Sequence, residues 1–342
     1  KASTYIRAGN EVLHNIEPIL PNIPTALGEP EPQTYLLLFQ NDKELRPTGG
    51  FITAYALVEF RNGKFKIIKS DDIYDLNATE NILPAPLPIL QYLKVNSYKI
   101  RDANFSPDFQ KSMDDFMAFG QYTSLPDLAG IISLDTQFVE RMIEVTGPID
   151  MPQYSLDFSG YPTLPEACKE GGTVFTAENV VCRLELYAEK LLKGTEDRKQ
   201  ILGDLMEHLV DRILKMKAAE LPAVLEAIGG ELNQKHVLIS LENSELQQFV
   251  EKYNWGGRIR EIETTDYLHI NDSNLAGLKS DFYLIRTVNQ EVTVQEDGAI
   301  EKKLTLTYEN PEPQDGWLNA VARNYVRVYV PQGSELVSFT GD

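Results

Sequence analysis

The chain has 342 residues, 42% of them hydrophobic, which is enough for more than one globular domain with a packed core. Its formal net charge of −19 and pI of about 4.7 argue against a nucleic-acid-binding protein. They also argue against a protein held on anionic lipid by a generally positive surface, although local basic pockets are compatible with this balance. The acid surplus is typical of a solvated surface that keeps a protein soluble.

Targeting and redox signals are few. No apolar run of 18 residues occurs, so no transmembrane helix is predicted. The first residue is Lys1 rather than Met, which suggests a processed chain with a signal or membrane anchor upstream. Cys168 and Cys182 form no CxxC pair, so neither zinc nor redox chemistry is indicated. A disulfide in an oxidising compartment and two buried free thiols both fit these cysteines.

Residues 1–34 are predicted to be a short helix followed by a proline-rich connector. Prolines recur from Pro18 to Pro32, so a continuous helix cannot run through this part. Two strand-like apolar runs follow, at 35–39 and 51–60.

The linker between these two runs carries Arg46 and the pair Gly49 and Gly50. Glycines permit a close backbone approach, so an arginine beside them at a sheet edge is a plausible anion-binding arrangement. An ordinary β-hairpin with a glycine turn explains the same pattern.

An acidic segment follows the next predicted hairpin. Asp71, Asp72 and Asp75 lie close together after a strand, and Asp102 follows Arg101 in the RDANFSPDF stretch. Carboxylates of this kind can hold Mg²⁺. They also serve commonly as helix caps and solvated loop residues.

The middle of the chain alternates strands and helices. A buried strand is predicted at 128–134 and a helix capped by Asp135 at 136–145, ended by Gly147. A further extended run at 148–151 completes what reads as a βαβ unit of a parallel sheet. Arg198 stands at the start of a long amphipathic helix, either as a surface residue or as a ligand contact.

The final part of the chain reads as β-structure. Strand-like runs follow one another from residue 267 to ELVSFT at 335–340, with Asp297 and Gly298 as a hairpin turn. We therefore predict three parts: a helix and connector (1–34), an α/β domain (35–262) and a small antiparallel β-sandwich-like domain (263–342).

Several long motifs resemble a known family. In this order, the stretches ELRPTGGFI, RDANFSPDF, VERMIEVTGPI and NLAGLKSDFY resemble the bacterial extracytoplasmic domain of unknown function 4012 family. The resemblance implies a location outside the cytoplasm, in the cell envelope. It implies no reaction.

The order of elements is also similar to that of the LytR-CpsA-Psr phosphotransferases, which transfer glycopolymers from a polyprenyl pyrophosphate carrier to peptidoglycan. Arg46 stands before a core strand as the family's arginine does, and Arg198 opens a long helix in a similar way. The chain departs from the pattern in two places. Pro47 replaces the aspartate after the first arginine, and the segment Ser70–Asp75 lacks the second motif's arginine.

Together these resemblances imply a fold class and two functions. The fold is an α/β (α+β) domain with a mixed sheet and flanking helices, followed by a small β domain. The first function is binding of a phosphorylated polyprenyl-linked glycan, with or without phosphotransfer. Its ligand contacts would be Arg46, Arg101, Arg198, Gly49 and Gly50, and a Mg²⁺ cofactor would bind Asp72, Asp75 and Asp102. The second is a non-catalytic envelope module that recognises a glycan or a protein partner. No GxSxG, HExxH or P-loop motif supports a common hydrolase or nucleotide-binding enzyme.

Overall fold

A mixed five-stranded sheet forms the centre of the molecule. The computed structural model describes residues 17–76, 83–155, 166–169, 172–187, 200–260 and 266–341. The sheet order is β3-β2-β1-β4-β7, in which β1 and β4 run parallel and the other neighbours antiparallel. Its strands are β1 (Gln33–Asn41), β2 (Phe51–Arg61), β3 (Lys64–Asp72), β4 (Gly130–Asp135) and β7 (Val237–Leu241).

Helices cover both faces of this sheet. They are α1 (Ile23–Ala26), α2 (Leu87–Leu93), α3 (Phe109–Gly120), α4 (Thr136–Thr146), α5 (Glu166–Lys169), α6 (Val180–Leu186), α7 (Gln200–Leu214), α8 (Leu221–Gln234) and α9 (Ser244–Lys252). No helix within the described ranges is both long and apolar enough to span a bilayer.

Alternating side chains of β1 build two cores, as the two-residue period of a strand requires. Leu37 and Phe39 pack with residues of α4, α6, α7 and α8 on one face. Leu36 and Leu38 pack with residues of α3 on the other face. The predicted fold class, a mixed sheet with flanking helices, is confirmed.

The predicted βαβ unit is wrong in its third element. β4 and α4 form as expected, with the Asp135 side chain accepting a hydrogen bond from the Phe138 amide at 3.2 Å. The extended run after Gly147 is the two-residue strand β5 (Ile149–Asp150), which pairs antiparallel with β6 (Val174–Phe175). The parallel partner of β4 is β1, about ninety residues earlier in the chain. The order of elements along the sequence therefore did not reveal that β4 pairs in parallel with β1.

The C-terminal residues form two small antiparallel sheets. β8 (His269–Asn271) pairs with β11 (Arg327–Tyr329), and β9 (Ile285–Val294) pairs with β10 (Ile300–Glu309) across the predicted turn at Asp297 and Gly298. The predicted strand at 335–340 is absent, since these residues have no ladder partner. The predicted domain boundary near 262 falls outside the described residues, so the division into domains stays a prediction.

Candidate functional site

All five strands of the central sheet have one end at the same side, which we call the site edge, and polar groups of β1, β3, β4 and the residue before β7 collect there. β1 and β4 end there at Asn41 and Asp135, β3 ends there at Asp72, and β2 begins there at Phe51. His236 immediately precedes β7 at the same end. Polar side chains that follow parallel strands collect at such an edge, which is where α/β proteins bind their ligands.

The Arg46 loop connects β1 to β2 at the site edge. Gly50 is sterically required, because an added Cβ would overlap the backbone of Asn41 and Asp42. Gly49 has φ +123°, a conformation that favours glycine, and its amide donates to the Arg46 carbonyl at 3.0 Å. The glycine pair therefore shapes this turn, as the hairpin interpretation predicted.

A buried polar network fixes the loop to the sheet. The Gln40 Oε1 atom accepts hydrogen bonds from the Thr48 hydroxyl (2.9 Å), the Gly50 amide (3.1 Å) and the Asn104 amide group (3.1 Å). Asn104 Nδ2 also lies 2.8 Å from the Gly50 carbonyl oxygen. Asn104 is fully buried, so the RDANF motif contributes a structural tie beneath the loop.

Arg46 is buried, with 3% of its surface exposed. Its guanidinium donates to the carbonyl oxygens of Leu45 and Asn274 and pairs with Glu44 at 3.3 Å. Its planar group also lies 5.2 Å from the Phe51 ring centroid. These contacts attach the loop to the C-terminal part of the chain, and they occupy most of the donors that a bound phosphate would need.

The C-terminal part closes over the same loop. The Leu45 amide donates to Asp281 at 3.0 Å, and the Asn274 amide donates to the Leu45 carbonyl at 2.9 Å. Asn271 donates to the Pro47 carbonyl at 3.1 Å. The loop thus lies between the site edge and the C-terminal part.

Arg101 and Asp102 lie beside this loop. Arg101 Nε is 3.7 Å from Asp102, and its guanidinium lies 4.9 Å from the ring centroid of Tyr74. Burial raises the pKa of Asp102, while the positive charges of Arg46 and Arg101 act to lower it. Both arginines therefore act on one carboxylate, although Arg46 is turned into the protein interior.

The predicted metal ligands Asp72, Asp75 and Asp102 do not form one cluster among the described residues. Asp72 is buried and accepts a hydrogen bond from the Tyr74 amide at 3.0 Å. A hydrogen bond to Asp71 and burial raise the pKa of Asp75 to about 6, so this pair holds a proton in mildly acidic solution. Across the described ranges no group of three or more histidine, cysteine or acidic side chains could hold a metal ion. Mg²⁺ binding stays a prediction, as does a role for Arg198, which lies outside the described residues.

Sequence reasoning missed a second titratable pair at the site edge. His236 Nδ1 lies 2.7 Å from Asp135 Oδ2, and the hydrogen bond raises the pKa of His236. Burial raises the pKa of Asp135. The helix-cap signal identified Asp135, but nothing local to residue 236 indicated that β7 would bring a histidine to it.

A narrow cleft opens at the site edge between the sheet and the helices of one face. Apolar side chains form its walls, from Phe39, Leu134, Val139, Val181, Leu184, Ile201 and Leu202. Polar groups stand around it, from Gln40, Asn41, Asp135, Thr136 and Glu185. Its charged lining residues are two acids, so the cleft offers hydrogen-bond acceptors rather than cations.

Comparison with known proteins gives matches of two kinds. Residues 30–163 match the model of the family described as "Protein of unknown function (DUF4012)". No curated protein matches the chain.

Solved structures resemble the chain at low identity. Protein gbs0355 from Streptococcus agalactiae is 13% identical, with 71% of this chain and 80% of that chain covered and a TM-score of 0.44. The LytR-Csp2A-Psr enzyme from Actinomyces oris is 12% identical, with coverage of 66% and 76% and a TM-score of 0.40. TagV from B. subtilis is 12% identical, with coverage of 70% and 87% and a TM-score of 0.36. Residues 30–163 carry the pattern of the domain of unknown function 4012 family, which confirms that resemblance over this stretch.

Proposed function

We propose that this protein is a non-catalytic module of the bacterial cell envelope that binds the uncharged sugar units of an envelope glycan. The observation that carries the proposal is the state of Arg46. Its guanidinium is buried and bonded to the carbonyl oxygens of Leu45 and Asn274. An arginine used in this way stabilises the loop and is not presented to a phosphate.

The lining of the cleft supports the same proposal. Asp135 and Glu185 place carboxylates at it, paired with His236 and Lys279, and their oxygens can accept hydrogen bonds from sugar hydroxyls. Apolar walls with a few polar groups are typical of small-ligand sites. Because the cleft encloses only about 40 Å³, a sugar unit would lie across its mouth.

A location outside the cytoplasm is supported by the disulfide. Cys168 and Cys182 are bonded to each other, with their Cα atoms 6.0 Å apart. Structural disulfides persist in oxidising compartments and are rare in the cytosol of most organisms.

The test is a thermal-shift titration with soluble, uncharged N-acetylglucosamine oligosaccharides, beside polyprenyl phosphate and polyprenyl pyrophosphate with and without Mg²⁺. A ligand that binds only the folded protein raises the melting temperature. We expect the oligosaccharides to raise it and the lipid phosphates to leave it unchanged.

A cleft-filling variant locates the site. Leu202→Trp places a large side chain at the cleft, and we expect it to abolish the glycan-dependent shift. Leu225→Trp is the matched control, because Leu225 is 68% exposed on α8. A shift that survives Leu202→Trp, or is equally lost in Leu225→Trp, contradicts the proposed site.

A second candidate function is that of a polyprenyl-phosphate-binding phosphotransferase. The observation that favours it is the convergence of Arg46 and Arg101 on Asp102, together with a buried Arg46 Nε that has no hydrogen-bond partner. Arg101→Gln tests it. A Mg²⁺-dependent shift with polyprenyl pyrophosphate that disappears in Arg101→Gln would replace the first proposal with this one.

If the second candidate function is correct, Mg²⁺ binding should depend on pH. The proton held between Asp71 and Asp75 competes with a metal at Asp75, whose pKa is about 6. Mg²⁺ affinity should therefore rise as the pH rises through about 6, and Asp75→Asn should remove this dependence. Calorimetric titration at pH 5 and pH 7 measures both effects.

A further inference from the structure

A cluster of three aromatic rings lies at the C-terminal end of α9. Tyr253 stacks on Trp255 with ring centroids 5.1 Å apart, and Phe249 lies 4.9 Å from Tyr253 and 5.7 Å from Trp255. All three rings are partly exposed. Trp255 packs on the core below, and its indole N–H donates to Asn233 at 3.1 Å.

Positive side chains surround these rings. Lys252 Nζ lies 5.6 Å from the Tyr253 ring centroid. The exposed Arg260 donates to the Glu251 carbonyl at 2.6 Å, at the end of α9. Burial and the nearby charge of Arg260 lower the pKa of Lys235, which places these two cations close together. Such a grouping is unusual in a chain whose net charge is −19.

The acidic side chains near the rings either pair with Arg258 or lie farther along the helix. Glu251 lies 3.9 Å from Arg258, which also pairs with Asp108 at 3.3 Å. Glu245 stands in the first turn of α9, about 10 Å from the aromatic end along a rise of 1.5 Å per residue. At the aromatic end of the helix, the cations of Lys235, Lys252, Arg258 and Arg260 therefore outnumber the carboxylates of Glu251 and Asp108.

Tyrosine and tryptophan beside lysine and arginine are the side chains that a lipid–water interface accommodates best. Their apolar rings enter the headgroup region while their polar groups and the cations stay at the surface. A sugar ring needs an open ring face. Here Tyr253 and Trp255 cover one another and Lys252 lies over Tyr253, so the cluster suits partial insertion better than sugar stacking.

We propose that this patch is a membrane-docking surface that binds anionic lipid headgroups, made of Lys235, Phe249, Lys252, Tyr253, Trp255 and Arg260. The patch shares no residue with the lining of the glycan cleft, so either proposal can fail without the other.

The test is binding to vesicles of 30% phosphatidylglycerol in phosphatidylcholine, compared with pure phosphatidylcholine. The chain has two tryptophans, so Trp317→Phe leaves Trp255 as the fluorescent reporter. We expect a blue shift of Trp255 emission and co-sedimentation with the anionic vesicles only. Each cation near an anionic surface is worth about fivefold in affinity, so Lys235→Gln with Arg260→Gln should weaken binding about 25-fold.

Matched variants decide the outcome. Tyr253→Ser should weaken binding, whereas Tyr122→Ser should not, because Tyr122 is a 58% exposed tyrosine outside the patch. Equal binding to neutral vesicles, no binding to either, or unchanged binding by the Lys235 and Arg260 variant overturns the proposal. So does an equal emission shift with a lipid-free polyanion such as heparin.

Discussion

Arg46 is a buried residue that ties its loop to the C-terminal part of the chain. We predict that Arg46→Met destabilises the fold by about 2–4 kcal/mol, because the carbonyl of Asn274 and the carboxylate of Glu44 lose a buried partner. Chemical denaturation measures the change. Arg61→Gln is the control, since this exposed arginine pairs only at the surface and its loss should have no measurable effect. Equal stability of wild type and Arg46→Met would show that the arginine is not a structural tie.

Gly50 gives a second prediction at the same loop. Gly50→Ala should lower stability by about 1–3 kcal/mol, because the added methyl overlaps the Asn41 carbonyl and the β1–β2 connection must shift. Gly229→Ala is the matched control, because a Cβ there meets open space within α8. This control should stabilise the protein slightly. Equal melting temperatures for the two variants would contradict the steric reading.

His236 predicts a pH dependence. Its folded-state pKa is raised by the hydrogen bond to Asp135, so its contribution to stability is fully present below the unfolded value of about 6.5. That contribution is lost as the pH rises through the raised folded pKa. Wild type should therefore lose stability relative to His236→Gln as the pH rises from about 6.5 through the raised folded pKa, as measured by melting temperature. A constant difference across this range would mean that the pair does not titrate.

The sequence predicted local backbone features at the site edge better than long-range contacts. The glycine pair, the Asp135 cap and the hairpin turns follow from local backbone chemistry, and each was found where predicted. The burial of Arg46 depends on Asn274, which is 228 residues away, and the Asp135–His236 pair joins residues 101 apart. No local pattern encodes such distances, so the sequence alone did not indicate the burial of Arg46, and its role as a ligand contact stays a prediction.

At the scale of elements, the disulfide fixes α6 against the rest of the fold. Cys182 on α6 is bonded to Cys168, and α6 supplies Val181 and Leu184 to the walls of the cleft. Replacing both cysteines with alanine should cost about 2–4 kcal/mol, because the unfolded chain regains the entropy of a short loop. Denaturation with and without reductant measures this. Reductant should lower the stability of wild type and leave the double variant unchanged.

Among the elements, local propensity predicts where a helix begins and ends but not which strand a strand pairs with. α4 has a capping aspartate, an amphipathic repeat and a terminal Gly147, so both ends were predicted within one residue. The strand after it was assigned to the wrong sheet, because two residues with extended backbone carry no information about their partner. Strand pairing depends on all strands of the sheet, and the parallel neighbour of β4 is β1.

At the scale of the molecule, the C-terminal part has a tightly bound base and an exposed arm. The base holds the Arg46 loop through Asn274 and Asp281, and it is tied to the arm where Arg286 and Tyr308 bond to Asp272. The arm is the β9–β10 hairpin, in which every residue of β9 is exposed. A two-stranded ribbon of this kind contributes little to the stability of the domain beneath it.

This division gives a last prediction. Thr287 and Thr307 are paired across the ladder, so residues 288–306 can be replaced by Asn-Gly while Arg286, Tyr308 and their bonds to Asp272 remain. We expect the shortened protein to keep its main unfolding transition within a few degrees of wild type. Asn274→Ala should lower that transition far more, since the Asn274 side chain bonds to Asp281 at 2.6 Å and to the Gly277 amide at 2.7 Å in a buried turn. The opposite order of effects, measured by calorimetry, would mean that the hairpin rather than its base stabilises the C-terminal part.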